Sequence, residues 1–303
     1  MSTVIESALN GVQFGLMLFL LAAGLTLVFG IMDMINLAHG SLYMFGAYLT
    51  AALVEPTGSF LLAMLVALLA TAAIGMLLEM TVLRTLYQRD HLSQVLATFA
   101  LILIGNEVVR MIWGPQPRRL ALPELFSGPV DLAGIQYPSY RLLVIGVGLA
   151  VALLLYLVVA RTRVGMWVRA GASNREMATV MGVDIKRLFT LVFGLGALLC
   201  AVAGALLGPL LSVQVGMGES ILILAFVVVV IGGIGSIRGA LAGSLMVGMV
   251  DTVGRTLVPG ALGTVFSPSV ASNLGPTLAS ILIYVLMAAV LFWKPQGLFP
   301  ARG

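Results

Sequence analysis

The chain has 303 residues, of which 60% are hydrophobic and only 9% charged, with a mean hydropathy of +1.12. A soluble domain carries roughly 25% charged residues, so this chain lacks the charge to cover a soluble surface and its solvent is largely lipid. The net charge of +4 collects at Arg161, Arg163, Arg169, Arg175, Lys186 and Arg187, as the positive-inside rule predicts for a cytoplasmic segment. Nucleic acid is therefore not needed as a partner.

Membrane spans need about 20 apolar residues each, and the sequence predicts them at 8–31, 36–54, 59–82, 92–113, 140–160, 188–210, 221–237, 239–257 and 276–293. The expected fold class is an all-α polytopic membrane protein of about 8–10 transmembrane helices, forming one transmembrane domain over residues 1–303. The start, "MSTVIE", lacks a basic n-region and reads as part of an uncleaved first span.

After the first span comes Gly30–Ser41, "GIMDMINLAHGS". As a surface loop it would be ordinary, with Gly30 ending a helix. Interleaving of Asp33, Asn36 and His39 with Ile31, Met32, Met34, Ile35 and Leu37 instead favours backbone broken within the membrane. Such backbone is tolerated only inside protein or along a wet cavity.

Glu79 and Arg84 mark an inner interface, and Glu107 with Arg110 forms an i,i+3 ion pair near the outer one. Segment 114–139 is Pro-rich and external despite Arg118 and Arg119. Arg84, Arg89, the 161–187 loop and the Lys294–Arg302 tail are expected on the cytoplasmic side. The N-terminal side is left open.

Within 161–187, Ser173-Asn174-Arg175-Glu176 has the capping-box pattern, with Ser173 at the N-cap and Glu176 three residues on. Gly182 suits the left-handed position after a helix of barely two turns. Met177, Val180 and Met181 form a small apolar face, either a docking surface or a helix resting on lipid beside Trp167.

A second Gly-interrupted segment, Gly232–Gly239, "GGIGSIRG", divides a long apolar region in the C-terminal half. Two such breaks at corresponding places point to a transporter's central site. Gly235, Gly239 and Gly243 recur every four residues and favour close helix packing over substrate contact. Pathway candidates are Asn36, His39, Ser41, Thr98, Asn106 and Ser236, each with the alternative of an interhelical hydrogen bond worth about 0.6 kcal/mol.

Nothing in the chain performs chemistry. It has no Gly-Lys pair for a phosphate loop. Its two histidines, His39 and His91, are far apart, and with one cysteine, Cys200, neither a metal site nor a disulfide is expected.

The segments "LNGVQFGLMLFLLAAGLTLVFGIMDMINLAHGSLYMFGAYL", "RAGASNREMATVMGVD", "AFVVVVIGGIGSIRGALAGSLMVG" and "FWKPQGLF" together resemble the membrane permease subunits of branched-chain amino-acid ABC importers, over nearly the whole chain. The resemblance implies that 161–187 is a coupling segment seated in a cleft of an ATPase subunit. Its contact residues would be Arg169, Ser173, Asn174, Arg175, Glu176, Met177, Met181 and Gly182. It also implies a second, homologous permease, two ATPase subunits carrying ATP and Mg, and an extracytoplasmic solute-binding protein. The setting would be a bacterial inner membrane, with no cofactor in this chain. Related importers carry urea, short amides or aromatic acids, so the cargo stays open. Arg238 departs from the pattern, where an apolar or aromatic residue is expected. The competing class is an ion-gradient-driven transporter or channel, for which Asp33 and Asp251 are the only deep acidic residues.

Overall fold

The computed structural model describes residues 2–132, 134–264 and 266–299. Leu, Val, Ala and Gly dominate its helices, and in lipid a helix is the element that satisfies every backbone polar group within one segment. The first is α1 (Ser2–Met32), followed by an irregular stretch and α2 (His39–Thr57). Ser59 caps α3 (Phe60–Leu78), which passes through a π-helical turn (Glu79–Leu83) into the single turn α4 (Arg84–Leu86). Asp90 caps α5 (His91–Trp113) by accepting hydrogen bonds from the hydroxyl and the N–H of Ser93, which hold its carboxyl below the usual range.

A loop with one 3-10 turn and a hairpin (Pro129–Leu132 with Ile135–Pro138) leads to α6 (Ser139–Arg161). The hairpin is a small departure from the all-α expectation. Two amphipathic helices follow, α7 (Arg163–Ser173) and α8 (Arg175–Val180), then α9 (Ile185–Leu207), α10 (Met217–Gly232), α11 (Ile237–Leu262) and α12 (Pro268–Trp293). Among the described residues, seven helices are long and apolar enough to cross a membrane. Of the other two, α2 carries His39, Ser41, Glu55 and Pro56, and α10 has only 16 residues. The chain is an all-α polytopic membrane protein. Residues 221–257 lie in two helices, α10 and α11, joined by a turn at Gly233–Ser236.

The centre is built from α1 and α9, buried along most of their lengths, with α2, α10 and α11 packed around them. They run antiparallel: Gly24 lies against Gly196, while Ile31 and Leu188 both lie beside Gly171. Glycine allows such approach, since dispersion and close backbone contact replace the hydrophobic effect as the driving force in lipid. Gly11 and Gly15 of α1 meet Gly248 and Ser244 of α11 in the same way. Gly239 and Gly243 of α11 lie against Gly232 and Val228 of α10, whereas Gly235 sits in the turn at φ +80.

The direction of each helix follows. Ser7 near the start of α1 shares a hydrogen bond with Thr256 near the end of α11, so both lie at one end of the molecule. The other end gathers the end of α1, α7 and the α10–α11 turn, with Leu298 and Phe299 bonded back to Ile231 and Gly232.

Candidate functional site

Two breaks reach inward. The first is 33–38, where Asp33 takes φ 51 and the chain turns back from the end of α1. Helix α2 starts deep: His39 packs on Gly24, eight residues before the end of α1, a depth of about 12 Å at 1.5 Å per residue. The second inward break is 208–216, between α9 and α10. A Cβ on Gly218 would lie 2.0 Å from the Gly40 carbonyl oxygen, so the starts of α2 and α10 touch. This corrects the expected correspondence of 30–41 with 232–239. Both are breaks in helix, but Gly233–Ser236 is a tight turn at one end of the bundle. It approaches the first break at Gly30, where a Cβ would stand 3.0 Å from the Cα of Gly235, and it shares an open cleft with Asp33.

His39 is fully buried in a slot walled by Gly24, Gly196 and the edge of Phe193, with neither ring nitrogen hydrogen-bonded within the described residues. Asn36 is also buried; its Oδ1 accepts from the N–H of Ala38 at 3.0 Å and its Nδ2 finds no partner among the described residues. Ser41 is buried, and its Oγ has no hydrogen-bond partner among the described residues. Thr98 bonds back to the Gln94 carbonyl of its own helix and joins none of these groups.

Asn106 and Ser41 share a shallow notch with Gly40, Gly218 and Glu219, and the Asn106 Nδ2 donates to a Glu219 carboxylate oxygen at 2.6 Å. Glu219 was not among the sequence candidates because the predicted span began at 221. The signal that could have found it is an acidic residue just after "VGMG", in the first turn of a broken helix.

Ser236 lies elsewhere. It caps α11, accepting from the N–H of Gly239 at 3.1 Å, and lines an open cleft of about 1120 Å³ with Phe29, Asp33, Arg169 and Arg238. Arg238 stacks on Tyr156 at 5.8 Å, which accounts for a cation in an otherwise apolar motif. Arg169 donates to the Val159 carbonyl.

The short helix α8 is bounded differently from expectation. Its N-cap is Asn174, whose Oδ1 accepts from the N–H of Met177 at 2.9 Å, while Ser173 is the last residue of α7. An Asn oxygen in extended backbone reaches the N3 amide as well as a serine would. The far end is a Schellman arrangement: Val183 N–H bonds to Ala178 and Gly182 N–H to Thr179, with Gly182 at φ +88. Ala178 faces inward, Arg175 lies over the Phe189 ring at 5.6 Å, and Met177, Val180 and Met181 are 60%, 81% and 78% exposed.

Broken helices meeting inside a bundle, decorated with unpaired polar groups, define a membrane transport protein of the permease kind. The family described as "Branched-chain amino acid transport system / permease component" matches residues 7–291, and the chain belongs to it. It is 31% identical to the high-affinity branched-chain amino acid transport system permease protein LivH of Escherichia coli (strain K12), over 82% of this chain and 85% of that one. It is 29% identical to the corresponding protein BraD of Pseudomonas aeruginosa, over 97% and 95% of the two chains. A probable branched-chain amino acid transport permease protein LivH of Methanocaldococcus jannaschii is 28% identical over 93% and 88%.

Proposed function

We propose that this chain is the transmembrane permease of an ATP-binding-cassette importer that moves a branched-chain amino acid or a related small polar solute. The family match over 7–291 is the observation that carries this reading. The permease pairs with a second, homologous permease in a bacterial inner membrane. Two ATPase subunits supply ATP hydrolysis with Mg, and a solute-binding protein delivers cargo from outside. The basic loop 161–187 and the C-terminus face the cytoplasm, and the Ser7 end faces out. Helix α8 is the coupling element: both its ends are fixed, and its three exposed apolar side chains fit a protein cleft better than water.

Transport proceeds by alternating access. Docking outside and ATPase closure inside bind the outward- and inward-facing packings unequally, and that difference shifts the equilibrium. The gradient-driven alternative is not favoured. Asp251 is ion-paired with Arg255 at 2.8 Å, and Asp33 is exposed at the cleft rather than deep in the bundle.

The test is purification of the tagged chain from its native membrane in mild detergent. Two ATPase subunits should accompany the wild type and be lost from the Met177→Asp/Met181→Asp variant. A folded chain that emerges alone would overturn the reading.

A further inference from the structure

We infer that the open cleft of about 1120 Å³ at the cytoplasmic end holds the headgroup of one anionic phospholipid of the inner leaflet, its phosphate against Arg238 and Arg169. The inference goes beyond the importer reading and takes from it only which leaflet the cleft faces. The cleft opens where α1 and α6 end and α11 begins. Tyr156 on its wall is five residues before the end of α6, about 7.5 Å inside that end. Helix α6 buries little of itself in the bundle, so its outer faces meet lipid.

The polar side chains of the lining residues are Asp33, Tyr156, Arg169, Ser173, Ser236 and Arg238. Two guanidinium groups thus meet one carboxylate, and one positive charge is left in excess. Both arginines are exposed, and neither belongs to an ion pair among the described residues. Arg238 touches the Tyr156 ring through its guanidinium carbon, a contact that uses none of its N–H donors. Arg169 gives one N–H to the Val159 carbonyl and keeps the rest. The Ser236 Oγ accepts from the Gly239 N–H, and its own O–H is still a donor, as are those of Ser173 and Tyr156. The N–H groups of Ile237 and Arg238, first in α11, have no acceptor within that helix. Donors in excess and one unbalanced positive charge select a singly charged anion. A phosphodiester has that charge, and its two unshared oxygens match the guanidinium fork.

Two features favour a lipid over a dissolved phosphate. Basic pockets between membrane helices on the cytoplasmic side suit anionic headgroups. Leu153 and Leu149, three and seven residues before Tyr156, share its stripe of α6 and are 61% and 55% exposed. An acyl chain leaving the cleft therefore runs along apolar surface toward the middle of the membrane.

The test is native mass spectrometry of the chain as it purifies from its own membrane, with the subunits that accompany it. The sample is stripped of lipid by detergent exchange and titrated with dioleoylphosphatidylglycerol or dioleoylphosphatidylcholine. One tight adduct of the anionic lipid per copy of this chain is expected, and a weaker one of phosphatidylcholine. Arg238→Gln should weaken the tight adduct about fivefold, the loss expected from one basic residue beside an anionic headgroup. Ile234→Asp sets a carboxylate on the exposed wall of the cleft, leaves both arginines in place and should weaken binding as much. Arg89→Gln removes an exposed charge that is not among the cleft's lining residues and should change nothing. Equal binding by wild type, Arg238→Gln and Ile234→Asp would overturn the inference. So would an equal loss in Arg89→Gln, since the attraction would then be diffuse surface charge. Displacement of the lipid by millimolar inorganic phosphate would overturn it too, by giving the cleft to a soluble anion. The readout is lipid binding, so its failure leaves the importer reading standing, whereas a folded chain that binds the lipid but emerges without ATPase subunits overturns that reading alone.

Discussion

His39 and Glu79 are both fully buried, yet they are held by opposite means. The imidazole has no hydrogen-bonding partner among the described residues and is kept by shape, in a slot that exists because positions 24 and 196 lack side chains. Glu79 is saturated: Arg84 donates to it at 2.9 and 3.3 Å, Thr190 at 2.6 Å and Tyr87 at 2.8 Å. Removing one partner of a buried pair costs about 3–5 kcal/mol, and exposure of Arg84 places Glu79→Ala toward the lower end. Its thermal unfolding in detergent should therefore begin well below that of wild type, whereas Glu79→Gln should lose less. Gly40→Ala is expected to be as damaging for a steric reason. Its Cβ would stand 2.5 Å from the Gly218 carbonyl oxygen, and backbone cannot swing aside as a side chain can. Lower yield of folded protein would be the readout, with Gly146→Ala, which meets nothing within 4 Å, as the neutral control.

Among the elements, α8 shows how little holds an exposed apolar knob in place. Six residues are too few to persist alone, so the helix relies on the Asn174 cap, the Gly182 turn and the seat of Ala178. Asn174→Ala should cost about 1 kcal/mol of local stability and weaken the coupling of ATP hydrolysis to uptake, while Ser173→Ala should leave coupling intact. Equal effects of the two would return the cap to Ser173. Elsewhere the pairing of element with sequence is direct: the ion pair Glu107–Arg110, at 3.0 Å, is the i,i+3 contact that its spacing implies.

Across the whole molecule, the antiparallel pair α1 and α9 forms a central post. The two helices that follow them, α2 and α10, start inside the bundle and touch at Gly40 and Gly218. That geometry leaves the Glu219 carboxylate, bonded to Asn106, on one side and an open cleft at the far end. Single cysteines introduced into a Cys200→Ser background should report the direction of the bundle. Positions Asp131 and Gln116 should react only with reagent added outside, and Ser173 and Gln296 only with reagent added inside. Labelling of Asp131 and Ser173 from one side would invert or break the proposed topology.

Much of this was legible in residues alone. Long apolar runs separated by Arg-rich or Pro-rich segments dictate helices in lipid, because no other open structure satisfies the backbone there. Polar residues among the apolar ones at 31–39 mark the first break for the same reason. The second inward break was not legible: 208–216, "GPLLSVQVG", is bland, and its depth depends on what it packs against. Glu219 was hidden likewise, since a lone acidic residue at a helix start reads as a solvated end until a neighbouring helix places Asn106 beside it. The sequence by itself determined that the chain crosses a membrane many times as helices and which loop is basic, all properties of segments in a given solvent. Only the tertiary structure decided which helix starts lie inside the bundle and which polar groups converge, because depth and convergence come from contacts between residues more than a hundred positions apart.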